Sequence, residues 1–192
     1  INSSDGTVVT NTGTISGVRH GMQSSNVDNS TITNHGTISA SNNTGYGILY
    51  ENDGSNRVNN TLNNYGTISA TSGSLADGIG IGRGAFPMFN ITINNYGTIS
   101  GSDDSIKMLN SSNTGINIVT KGDGTYVGEI NLNDSSTTMT LDCSISKDQK
   151  IEIHNKTNMV VTNNLCGNDT YEILDSNSDL DADNSETNGF LY

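Results

Sequence analysis

Three carboxylate pairs, Glu51/Asp53, Asp103/Asp104 and Asp123/Glu129, lie close enough along the chain to share a face. A glycosidase needs two carboxyl groups about 5 to 9 Å apart across a sugar bond, so these are the first catalytic candidates. Each pair sits among turn-forming residues, and solvated turns are the simpler account. Arg19, Arg57 and Arg83 are the only arginines and form no cluster in sequence to grip an acidic sugar chain. The Gly-x-Ser-x-Gly pattern of a nucleophile elbow does not occur, and His20, His35 and His154 stand in no catalytic motif.

Two other patterns carry possible chemistry. Asp175, Asn177, Asp179, Asp181 and Asp183 place hard oxygen ligands at alternate positions, as a calcium loop begins. No glycine follows at the sharp-turn position and no bidentate Glu closes the run, so only a weak calcium candidate remains. The run Gly78-Ile-Gly-Ile-Gly-Arg-Gly84 has the glycines of a phosphate loop without the Lys-Ser/Thr or the helix start such a loop needs; it reads as a strand. The expectation is therefore a chain that is not an enzyme and has no catalytic residue or cofactor.

The elements that position these side chains follow from a repeat. Val9-Thr-Asn-Thr-Gly-Thr-Ile-Ser16, Ile32-Thr-Asn-His-Gly-Thr-Ile-Ser39, Leu62-Asn-Asn-Tyr-Gly-Thr-Ile-Ser69 and Ile93-Asn-Asn-Tyr-Gly-Thr-Ile-Ser100 are copies of one phrase. Its glycines, Gly13, Gly36, Gly66 and Gly97, recur at intervals of 23, 30 and 31 residues, the length of one solenoid coil with variable loops and short of the roughly 40 of a propeller blade. Within each copy apolar and polar residues alternate with period two, as in a half-buried strand. Val9, Asn11, Gly13 and Ile15 then face one way, and Thr10, Thr12, Thr14 and Ser16 the other.

The reading is an all-β, right-handed parallel β-helix with about three strands per coil. Stacked about 4.8 Å apart, Ile15, Ile38, Ile68 and Ile99 form one internal column, and Val9, Ile32, Leu62 and Ile93 another. Asn11, Asn34, Asn64 and Asn95 form a corner ladder, because asparagine tolerates left-handed backbone and its amide can bond to its copy on the next rung. The neighbouring glycines relieve crowding at that corner. Thr12, His35, Tyr65 and Tyr96 point outward there, with Tyr65 stacked on Tyr96. Weaker third strands fall at 47–50, 78–81 and 106–108, and the lengthening between coils falls in loops over 39–45 and 70–90, the latter with an apolar tip at 85–89. Past residue 110 the phrase is lost, but strand-like runs continue at 115–119, 127–132, 138–141, 151–153, 159–161 and 171–174. The chain thus divides into repeat-bearing coils over 1–110, degenerate coils over 111–174, and an acidic edge or linker over 175–192.

Composition agrees with a thin shared core. Only 31% of residues are hydrophobic, with no Trp and one Pro, while charged residues make up 15%, too few for a chain kept disordered by charge. The net charge of −12 repels nucleic acid and anionic headgroups, so neither is an expected partner. No run approaches the roughly 20 apolar residues of a membrane helix, and the opening Ile1, Asn2, Ser3 and Ser4 read as the start of a mature or excised piece. Cys143 and Cys166, 23 residues apart, read either as one disulfide in an oxidising compartment or as two buried thiols.

The phrase Asn-Tyr-Gly-Thr-Ile-Ser, with Gly-Ile strands between copies, resembles the passenger domains of bacterial autotransporters, the type V secretion proteins. The stretch 122–171, from Gly-Asp-Gly-Thr-Tyr-Val-Gly-Glu-Ile-Asn-Leu132 to Cys166-Gly-Asn-Asp-Thr-Tyr171, resembles the end of such passengers in marine alphaproteobacteria. That resemblance implies export, display at the outer-membrane surface through a C-terminal barrel outside this chain, and a scaffold with no fixed activity. The expected function is a surface-displayed structural or adhesive passenger contacting cell-surface or glycan ligands. A self-assembling extracellular filament subunit is the alternative, and a polysaccharide-cleaving β-helix comes third.

Overall fold

The computed structural model describes residues 5–54, 57–133, 135–142, 150–154, 159–164, 172–175 and 190–191. Among them there is no helix; strands stack as a parallel β-helix. The first coil comprises β1 (Val8–Asn11), β2 (Thr14–Gly17) and β3 (His20–Ser25), the second β4 (Thr31–Asn34), β5 (Thr37–Ala40) and β6 (Tyr46–Glu51). The third holds β7 (Arg57–Val58), β8 (Thr61–Asn64), β9 (Thr67–Ala70) and β10 (Asp77–Arg83), and the fourth β11 (Met88–Phe89), β12 (Thr92–Asn95) and β13 (Thr98–Met108). Beyond the repeat follow β14 (Ile116–Thr120), β15 (Thr125–Asn131), β16 (Thr137–Asp142), β17 (Lys150–His154), β18 (Met159–Asn164), β19 (Glu172–Asp175) and β20 (Phe190–Leu191).

One wall is the sheet β1-β4-β8-β12-β14-β16-β18; a second runs β2-β5-β9-β13-β15-β17-β19-β20. The third, β3-β6-β10, joins the second through β13, which is long enough to turn from one wall onto the other. All pairings are parallel except β19 with β20. The walls run past residue 110 without a break, because β12 pairs β14 and β13 pairs β15.

Period-two patterning explains the core. Ile32, Leu62, Ile93, Ile118 and Met139 share one register column and are essentially inaccessible, with Val9 and Val161 half-buried at its ends. Ile38, Ile68 and Ile99 form the second, flanked by the half-buried Ile15 and Tyr126. Met22, Ile48, Ile79, Ile106, Ile130 and Ile153 form the third. Each buried aliphatic side chain contributes on the order of 1.5–3 kcal/mol, and every rung supplies about one per wall.

Three local expectations are corrected. The chain turns at Thr12 and Gly13, the corner between β1 and β2, and Gly13 is exposed there, not inward. The ladder asparagines are ordinary strand residues; the left-handed asparagines are Asn26, Asn29, Asn59, Asn90 and Asn133. The apolar tip does not project, since Met88 is 1% exposed and β11 pairs with β7, so the loop folds back as an extra rung. Ala85 and Phe86 of that tip stay at the surface. Glycine is needed at Gly36 because a Cβ there would lie 1.9 Å from the carbonyl oxygen of Gly13 on the rung below.

Candidate functional site

The outward face of the second wall is built by the Gly-Thr-Ile-Ser words themselves. With isoleucine turned inward, the residues on either side of it must turn outward. Thr14, Thr37, Thr67, Thr98 and Thr125 are register partners in one column, and Ser16, Ser39, Ser69 and Ser100 in the next. No register shift interrupts the four rungs from β2 to the start of β13. The rungs that carry the hydroxyls are therefore spaced about 4.8 Å along each column and about 6.6 Å between columns, with the Thr98 and Thr125 hydroxyls drawn together at the end of the Thr column. Not one of these residues is charged, in a chain of net charge −12.

Thr37, Thr67 and Thr98 are half-buried by their neighbours, and a β-branched side chain so packed has little χ1 freedom. Thr98 and Thr125 hydroxyls bond to each other at 3.0 Å. Those of Thr14, Thr37, Thr67, Ser16, Ser39, Ser69 and Ser100 make no hydrogen bond to another described residue. The face thus presents ordered donors and acceptors to whatever lies outside it.

Beneath its edge runs the asparagine ladder. Asn11 donates to Asn34 Oδ1 at 2.8 Å, Asn34 to Asn64 and Asn64 to Asn95 at 2.9 Å. The second proton of each amide goes to the carbonyl of Thr37, Thr67 or Thr98 at 3.1 Å, and Asn95 donates to the Thr125 carbonyl. Those carbonyls belong to the threonines of the outer column, so the ladder fixes the backbone that carries the hydroxyls. Outside the same corner His35 stacks on Tyr65 at 4.8 Å and Tyr65 on Tyr96 at 4.4 Å, with Lys121 Nζ 5.6 Å from the Tyr96 ring centre. The rings cover each other's faces, which suits them to bracing the corner more than to stacking a sugar.

Of the catalytic candidates, Asp103 and Asp104 come together with a third acid that the sequence reading did not pair with them. Lys107 Nζ lies 2.7 Å from Asp103, 2.8 Å from Asp104 and 3.6 Å from Asp77. Asp77 also accepts the Asp104 backbone N–H at 3.1 Å. Burial pushes the Asp77 carboxyl up to about 6 despite Lys107, and pushes Asp104 up as well. Burial pulls Lys107 down, but its bonds to Asp103 and Asp104 outweigh this and hold its pKa above the ordinary value. The three carboxylates are close enough together to ligate a cation, yet an ammonium already serves that role, tying β10 to β13.

Glu51 accepts from Gln23 and from Ser25 and lies 3.7 Å from Arg83, and Asp53 is exposed. Glu129 lies 3.9 Å from His154, and Asp123 is exposed. Asn177, Asp179, Asp181 and Asp183, with Cys143 and Cys166, lie outside the described residues; Asp175 is placed only as the last residue of β19. The link of Asp77 to Asp103/Asp104 carries one sequence signal: Ile79 pairs with Ile106, and an acid stands two residues before each, Asp77 and Asp104.

These features define a parallel β-solenoid with an uncharged hydroxyl face. No family model matches the chain, and no match was found among the curated proteins or the solved structures.

Proposed function

We propose that this chain is a non-catalytic, extracellular β-helix scaffold whose Thr/Ser face adheres to an external surface. The observation that carries the reading is the uninterrupted pair of hydroxyl columns, uncharged and, apart from the Thr98–Thr125 hydroxyl pair, without hydrogen-bond partners among the described residues. A protein of this net charge has to keep its acids away from such a face if the face is to approach a neutral partner. Ladders that fix the columns in advance lower the ordering entropy lost on binding. The acids best placed for catalysis are bound to Lys107, Gln23 or Arg83, which favours a structural role for them. Display at an outer-membrane surface, implied by the likeness to autotransporter passengers, belongs to the same proposal.

The test has two parts. Fractionation of the source cells with an antibody to the chain is expected to recover it with outer membranes or released to the medium; recovery in cytosol alone overturns the display. Beads coated with the purified chain are expected to be retained on cell or glycan surfaces, and retention no greater than that of uncoated beads overturns the adhesive reading.

A further inference from the structure

We infer that the partner of the Thr/Ser face is a neutral, tetrahedrally hydrogen-bonded lattice, namely the surface of ice. The inference rests on the binding-face reading and adds the identity of the ligand. In such a lattice each oxygen is about 2.75 Å from its neighbours, so two oxygens bonded to one centre stand about 4.5 Å apart. Columns whose hydroxyls repeat about every 4.8 Å therefore match the second-neighbour rows of ice to within about 0.3 Å, and three successive steps accumulate less than about 1 Å. At right angles the lattice repeats at eight-thirds of the bond length, about 7.3 Å, against about 6.6 Å between the Thr and Ser columns. Rotation about the C–O bond moves only the proton, so each hydroxyl re-aims its hydrogen bond at a lattice oxygen offset by that amount while its own oxygen stays in place.

Charge and chemistry point the same way. A hydroxyl donates one hydrogen bond and accepts two, so it can stand in for a lattice water where a carboxylate or ammonium cannot. The columns carry no charge from Thr14 to Thr125 in a chain of net charge −12. The threonine methyl groups lie beside the hydroxyls and favour release of disordered water when a solid surface covers them. The first wall also offers threonines, but its columns are interrupted: Asn63 and Asn94 bond to each other at 2.9 Å, and Val119 takes the next position. The Thr column keeps four rungs, and the Ser column keeps three accessible ones, Ser16, Ser39 and Ser69, before Ser100 is buried at its end.

The test uses the full 192-residue chain with single ice crystals grown in its solution. The expected result is faceted crystals, a freezing point below the melting point, and incorporation of the labelled chain into a growing ice hemisphere. Thr67→Tyr and Thr37→Lys are expected to abolish these effects while circular dichroism remains that of the parent. Thr138→Tyr, on the first wall, is expected to leave them unchanged. Unshaped crystals and no incorporation by the folded parent overturn the inference, and so does equal loss in all three variants. If Thr67→Tyr and Thr37→Lys fail to fold, the parent's result still decides. The same proteins are run in the bead assay: adhesion that needs Thr67 and Thr37, without any effect on ice, leaves the binding face standing and assigns it to a different surface.

Discussion

Asn34 Nδ2 donates to Asn64 Oδ1 at 2.9 Å although thirty residues separate the two in sequence. The same amide reaches the Thr67 carbonyl at 3.1 Å, so one buried side chain ties a rung to the side chain and the backbone of the next. Repeated from Asn11 to Asn95, this contact sets the register of two walls and the position of the hydroxyl columns.

Replacing Asn64 by Ala leaves an Asn34 donor and the Asn95 Oδ1 acceptor without this partner in a buried site, and takes the side-chain bond from the Thr98 carbonyl. The expected loss is about 2–4 kcal/mol of unfolding free energy, each orphaned group costing on the order of 1–3 kcal/mol. Asn64→Asp is expected to cost more, since a carboxylate oxygen then faces Asn95 Oδ1 and the Thr98 carbonyl. Urea unfolding of the two variants checks both the magnitude and the order.

Ile68 is fully buried in the second column, whereas Ile15 is half-buried at its end. Ile68→Ala is expected to destabilise by about 2–5 kcal/mol and Ile15→Ala by clearly less. Thermal unfolding of the pair measures the difference, and equal losses contradict the column as the main source of core stability.

The Tyr50 hydroxyl is wholly buried without a hydrogen-bond partner among the described residues, and burial pushes its pKa up. Tyr50→Phe removes an unsatisfied polar group without opening a cavity. Stability is expected to stay level or rise by about 1 kcal/mol, where a hydroxyl engaged in a bond would make the same change costly.

Asp77 titrates at about 6 in the fold against 3.8 as its reference, and Asp104 shifts the same way. The native state then holds its proton more tightly than the unfolded chain, so the stabilising contribution is complete below about pH 4 and is lost as pH rises through about 6. Lys107, with a raised pKa, stays charged across that window. The groups facing Asp77 are Asp103, Asp104, Lys107 and Tyr46. Melting temperature is expected to fall between pH 4 and pH 6, and Asp77→Asn to flatten that slope.

The repeat made much of this legible. An isoleucine, an asparagine and a tyrosine recurring at fixed offsets can only become columns once strands stack, and the Ile38, Asn34 and Tyr65 contacts are of that kind. What escaped notice lacked the phrase. β3 carries a single large apolar residue, Met22, too little signal for a strand. Asn29, Asn59 and Asn90 were lost among many asparagines, yet they are left-handed and bond in series, Asn59 to Asn29 at 3.1 Å and Asn90 to Asn59 at 3.2 Å. The union of Asp77 with Asp103, Asp104 and Lys107 depends on β13 bending from one wall to the other, with register shifts against β15 that periodicity does not foretell. The hydroxyl columns were visible as the outward half of the alternation, but which hydroxyls pair, as Thr98 and Thr125 do, and which face outward unpaired is a property of the folded surface.

The central claim is that the Gly-Thr-Ile-Ser words build a working surface and not only a core. Its most direct measurement is bead adhesion with lysine placed singly at Thr37, Thr67 and Thr98, against lysine placed at Thr33 and Thr140 on the first wall, all in variants that keep the parent's circular dichroism. Loss of adhesion confined to the first three is the predicted result; adhesion that survives all three, or falls equally in all five, contradicts the account.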